Sequence, residues 1–223
     1  IGADRDGGLG ATQFGTFVSC FPAHRTSAIP LRNATTCRGA QDDDAVALIK
    51  AIDRRVEEML ALTKDRPVIV NLAATMALEH YTAMMASEFL ANPQHFKDAD
   101  PEVRAMWEWH AVEEIEHKGV AFDTWNHATK NWSKWRRWKL RSLMMLIVTF
   151  NFFRNRWIDT LELLAQDGIT GSRAKLGLLK YLLVSPGVVR RIFPAWIAYF
   201  KPGFHPWDHD DRELIGKYEG EFE

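Results

Sequence analysis

Cysteine is scarce: Cys20 and Cys37 are the only two in 223 residues. One pair cannot staple a domain of this size, so a disulfide scaffold is excluded. A dominant charge sign is also missing. Lys and Arg total 28 against 29 for Asp and Glu, which excludes a global basic field for nucleic acid and leaves room only for local patches. Long apolar runs are absent. The longest, Leu143–Phe153, is interrupted by Thr149 and Asn151. As a helix it would rise about 16 Å, against about 30 Å of bilayer hydrocarbon. The Gly-rich, polar start has neither the basic nor the apolar region of a secretory signal. Together these absences imply a cytoplasmic chain. Strand-like alternation and internal repeats are not visible. The first residue is Ile1 rather than Met, which reads as a fragment, a processed form or an incompletely read sequence.

What is abundant is tryptophan, with 9, and histidine, with 8. Apolar residues at 47% supply enough material for a core. Residues 1–41 are Gly-rich with no helical stripe, and read as an irregular or disordered leader. Residues 42–223 read as a helical domain. Asp42–Asp44 can cap a helix whose stripe is Val46, Ile49, Ile52, Val56, Met59 and Leu60. A second helix is expected from Pro67 to about Leu90, stopped by Asn92-Pro93. Asp100-Pro101-Glu102 starts a third, expected to reach about Ala128. Apolar Leu140–Leu164 follows a basic Trp-rich stretch. A last helical zone, Lys175–Phe200, is interrupted at Ser185-Pro186-Gly187. The fold class is all-α, a helix bundle with extra C-terminal helices.

Two stripes carry polar residues where apolar ones are expected. Leu72, Met76, Glu79, Ala83, Ala86 and Leu90 follow helical spacing and are interrupted only by Glu79. Val103, Trp107, His110, Glu114, His117, Ala121 and Trp125 place His, Glu and His on three successive turns. An ionisable group in a core stripe is expensive unless paired or metal-bound. Glu-x-x-His facing a lone Glu on a neighbouring helix is half of a dinuclear carboxylate site. The bland alternative is a buried ion pair of Glu79 with His110 or His117. It accounts for one pair less awkwardly than for four such groups. His80 reads as lying behind the ligands or at the surface, and His95 and His127 as surface residues. Met76, Met84 and Met106 read as core filler.

Several runs carry a family resemblance. They are Ala77-Leu78-Glu79-His80-Tyr81-Thr82-Ala83, Asp100–Trp107, Trp109–Asp123 and Tyr199-Phe200-Lys201-Pro202-Gly203-Phe204-His205-Pro206-Trp207-Asp208. From about Val46 to the C-terminus the chain resembles the bacterial predicted metal-dependent hydrolases. The resemblance implies a ferritin-like bundle, with Glu79 and Glu114 as catalytic and metal-binding carboxylates and His117 as a nitrogen ligand. The spacing of His110, Glu114 and His117 is also similar to the fourth site helix of di-iron arylamine N-oxygenases, which makes His110 a ligand by analogy. In the family a first helix pair supplies another Glu and another Glu-x-x-His. Residues 1–41 contain no Glu and only His24, and Glu57 and Glu58 have no His three residues on. The bundle is therefore expected to be truncated, with iron bound singly or not at all, and as di-iron only if the missing half-site is supplied. Manganese and zinc are the alternatives.

The family label implies hydrolysis, whereas carboxylate-rich ligands suit iron, dioxygen, oxidoreductase chemistry and a small apolar substrate. Residues 131–157 hold seven basic residues, Trp132, Trp135, Trp138 and Trp157, and no acid. This is the composition of a peripheral membrane contact. A packed helix or homodimer contact with a basic polar face is the plain alternative, and nucleic acid is set aside because the patch is short. A catalytically inactive module that binds membrane or a partner through this surface is the rival to the enzyme reading. Pro202–Asp208 reads as a C-terminal latch, with His205 and His209 capping or touching a neighbouring helix.

Overall fold

The computed structural model describes residues 63–97 and 99–219, together with Lys50, Arg54, Arg55, Glu57, Glu58 and Ala61. The described residues form helices and turns with no strand, as expected for an all-α protein. The expected leader, 1–41, lies outside the described residues. Of the expected 42–62 helix, only the six isolated positions above are described, and all six are helical. The chain divides into two compact units. Among the described residues, one joins those up to Arg66 with 153–175, and the other joins 67–152 with 176–219. In the first, buried Asp159 is paired with Arg55 and, at 2.7 Å, with Arg156 Nη2.

The second unit is built around α1, Val68–Ala91. Pro67 sits just before the first turn, where its missing N–H is no loss. Asn92-Pro93 ends the helix and opens a 3-10 turn, Pro93–Phe96. Helix α2, Pro101–His117, starts as its sequence predicts: the Asp100 side chain accepts the Glu102 amide at 2.9 Å. Helix α3 is Val120–Ala128. The expected continuous 100–128 helix is therefore broken at Lys118-Gly119. The C-terminal motif packs against this break. Trp207 lies so close that a Cβ on Gly119 would sit 2.8 Å from its Nε1.

Helix α4, Lys134–Gln166, merges the basic stretch and the apolar run into one element. Helices α5, Gly171–Leu183, and α6, Val188–Ala198, are separated where Gly187 takes φ 77°, a conformation that favours glycine. Helix α7, Arg212–Glu219, lies beyond the elements the sequence predicts, although Leu214, Ile215 and Tyr218 carry its apolar spacing. Helix α1 packs against α2, α3, α6 and α7, so every residue from His80 to Ala86 is buried. Ala86 and Leu90 of α1, Ala111, Val112 and Ile115 of α2, and Ile215 and Tyr218 of α7 share one core. Tyr218 donates its hydroxyl to the Leu90 carbonyl at 2.9 Å.

Three sequence expectations are corrected by this packing. Of the expected stripe, Trp107, Ala121 and Trp125 are buried, but the rest of the buried side of α2 is Glu108, Ala111, Val112 and Ile115, not Val103, His110, Glu114 and His117. Val103 and His117 are exposed, and His110 and Glu114 are half-buried. The reason is that α1 and α7 cover the neighbouring face of α2. Buried Glu108 is answered within the helix, since Arg104 Nε lies 2.7 Å from its Oε1. His95 is buried rather than at the surface. Its ring joins Glu88 Oε1 and the Tyr181 hydroxyl, each at 3.2 Å. Met106 is half exposed, whereas Met76 and Met84 do fill the core.

Candidate functional site

Helices α1 and α2 bring the four expected site residues to neighbouring edges. Glu79 lies half-buried on α1. On α2, His110 Nε2 and Glu114 Oε1 are 3.4 Å apart, and the pair is half-buried. His117 occupies the last helical position of α2 and is exposed. The break after it matters for Glu79. In an unbroken helix the Ala121 amide would bond to the carbonyl four residues back. In the first turn of α3 that amide is freed, and it donates to Glu79 Oε2 at 3.1 Å.

The electrostatics link the two helices. Burial raises the Glu79 carboxyl above its ordinary range. The Ala121 hydrogen bond opposes this, the Glu114 charge adds to it, and His117 offsets part of it. Glu79 thus senses two α2 residues across the interface as well as the α3 terminus.

In kind, the donors fit a metal ion: two carboxylates and two imidazoles on two packed helices. In arrangement they form an open edge. Among the described residues, no three His, Cys, Asp or Glu side chains converge closely enough to enclose an ion. Each ligand candidate would have to close on the metal, or further donors would have to join them.

Sequence reasoning missed the polar frame behind this edge. Lys118, next to His117, is buried and donates to Asp211 Oδ2 and to the His209 carbonyl, both at 2.6 Å. Ser87 of α1 donates to Asp211 Oδ1 at 2.8 Å. Burial would raise the Asp211 carboxyl, but hydrogen bonds from His209, Lys118 and Ser87 pull it down to about 2. His80 is also buried. Its Nε2 lies 3.3 Å from the Ala195 carbonyl, which can only accept, so that nitrogen carries the proton. Burial holds the ring down to about 4, so it is neutral at neutral pH.

The C-terminal motif acts as the expected latch. His205 Nδ1 accepts the Trp207 amide at 3.2 Å, and its Nε2 lies 3.0 Å from Asp123 of α3. Buried Arg141 of α4 donates to the carbonyls of Lys201 and Phe204 at 2.8 and 3.4 Å. The signal for this frame lay in the motif's turn residues, but its partners are remote in sequence.

A family model described as "Predicted metal-dependent hydrolase" matches residues 31–210, well over half of the chain. The match starts inside the compositionally distinct 1–41 stretch and includes Glu79, His110, Glu114, His117 and the latch. No curated protein and no solved structure matches the chain.

Proposed function

We propose, from the premise that this chain belongs to the family of predicted metal-dependent hydrolases, that the α1–α2 edge holds the metal on which its chemistry depends. Glu79 and Glu114 would supply carboxylate oxygens, and His110 and His117 imidazole nitrogens. The observation that carries this reading is electrostatic. A carboxylate on one helix is coupled to a carboxylate and an imidazole on the next, beside a second imidazole at 3.4 Å. Two carboxylates on one half-buried edge repel each other, and a bound cation would relieve that repulsion. A mixed oxygen and nitrogen set suits iron first, with manganese and zinc as rivals. The bound metal would act as a Lewis acid that activates water for hydrolysis, or as a redox centre for dioxygen. We place α1 and α2 as one half of a ferritin-like bundle.

The chain's own contribution is positioning. The Ala121 amide fixes one oxygen of Glu79, and the Lys118–Asp211 pair anchors the residue that follows His117. Metal analysis of the purified full chain and of Glu114→Ala tests the reading. Metal in the parent and its loss in the variant are expected. A parent without metal after loading with iron, manganese and zinc in turn would refute it. If iron binds, an absorbance change on exposure to oxygen supports oxidation, and its absence counts against it. The rival reading is a metal-free helical module that works through its surface. It is favoured by the exposed apolar face of α4, and it predicts that Glu114→Ala leaves the fold as stable or more stable.

A further inference from the structure

Helix α4 presents large apolar side chains to solvent at helical spacing. Trp135 is 62% exposed, Leu143 54%, Leu146 50% and Phe150 69%, with Ile147 beside them. A soluble helix normally turns such a stripe inward. The inward side of α4 is already filled by Met144, Met145, Val148 and Phe152. The exposed stripe extends onto α6. Thr149, next to Phe150, accepts the Trp196 indole N–H at 3.0 Å, and half-exposed Phe193 stacks on Trp196.

Charge decides what this face fits. Arg136 and Lys139 are exposed on the first turns of α4, near Trp135. Their cations lie over indoles, Arg136 over Trp132 at 3.8 Å and Lys139 over Trp135 at 5.6 Å. Between Asp123 and Asp159 the chain has no acidic residue, and between Asp167 and Asp208 it has none either. A second copy would bring like charge against like and no carboxylate to answer it. Nucleic acid would gain nothing from the apolar centre, and Trp135 stacks on Trp138 at 4.9 Å rather than offering both ring faces. No described helix is long and apolar enough to cross a membrane. An apolar stripe with Trp, Arg and Lys at one end is instead the composition of a helix lying in a bilayer interface.

We propose that the exposed face of α4, continued by Phe193 of α6, docks on an anionic lipid surface. Leu143, Leu146, Ile147 and Phe150 enter the acyl boundary, while Arg136 and Lys139 meet the headgroup phosphates.

Vesicle co-sedimentation of the full chain tests this, with phosphatidylcholine alone and with added phosphatidylglycerol. The chain is expected to sediment with anionic vesicles at low salt and to be released at about 1 M salt, where the Debye length is about 3 Å. Leu146→Gln/Phe150→Gln should weaken binding more than about tenfold. Arg136→Glu/Lys139→Glu should do the same and lower the salt dependence. These positions are exposed, so circular dichroism should be unchanged. The proposal falls if anionic vesicles bind nothing at low salt, or if Leu146→Gln/Phe150→Gln binds as the parent does. It falls also if the lipid-free chain is a dimer that this double variant dissociates, which would make a second copy the occupant.

Discussion

The Ala121 amide donates to Glu79 Oε2 at 3.1 Å, and it can do so because one helix ends at His117 and the next begins at Val120. The candidate site therefore depends on a helix terminus as well as on the ligand types. The site carboxylate is held by a backbone group that an unbroken helix would have used internally.

Glu79→Gln separates stability from metal uptake. The amide oxygen still accepts the Ala121 N–H, and the substitution removes a charge that burial and Glu114 disfavour. The unfolding midpoint in urea should hold or rise, while bound metal in the purified chain should fall sharply. Loss of stability by more than about 1 kcal/mol would show that the charge itself is needed for folding.

Lys118→Met leaves Asp211 buried without its ammonium partner. Removing one member of a buried ion pair typically costs about 3–5 kcal/mol. Urea denaturation should show a loss of that order, and the double variant Lys118→Met/Asp211→Leu should recover part of it.

Acid should weaken the fold in two stages. Burial holds His80 at about 4 against an ordinary 6.5, so the unfolded chain takes up the proton first, and stability falls as pH drops from 6.5 towards 4. Asp211 is held at about 2 against 3.8, so its contribution is intact above about 4 and is lost as pH drops towards 2. A series of urea midpoints from pH 7 to pH 2 should decline in both windows. His80→Phe should flatten the first only.

Gly119→Ala places a methyl group 2.8 Å from Trp207 Nε1. Trp207 is held over the Lys118 ammonium at 4.1 Å, so it cannot retreat freely. The cost should be about 1–3 kcal/mol, typical of overpacking, with a shift in tryptophan emission. An unchanged emission maximum and midpoint would mean the latch adapts without strain.

Local signals were legible in the sequence wherever the cause was local. Pro67, Asn92-Pro93 and Asp100-Pro101-Glu102 set helix ends through φ restriction and capping, which need no partner. Spacing put His110, Glu114 and His117 on one side of a helix by geometry alone. Which side faced the core was a different matter. Ile115, Ala111 and Val112 won that place because α1 and α7 pack there, a choice made by residues far along the chain. The break at Lys118-Gly119, against which Trp207 of the latch and Asp211 beyond it pack, was likewise not legible. His95 looked like a surface residue until Tyr181 and Glu88 closed around it. The sequence by itself determined the all-α class, the helix ends set by local capping and proline, and the chemistry that the α1 and α2 residues could carry. Only the tertiary structure decided burial, partners and the freed amide on Glu79, because those depend on contacts between residues that sequence proximity does not bring together.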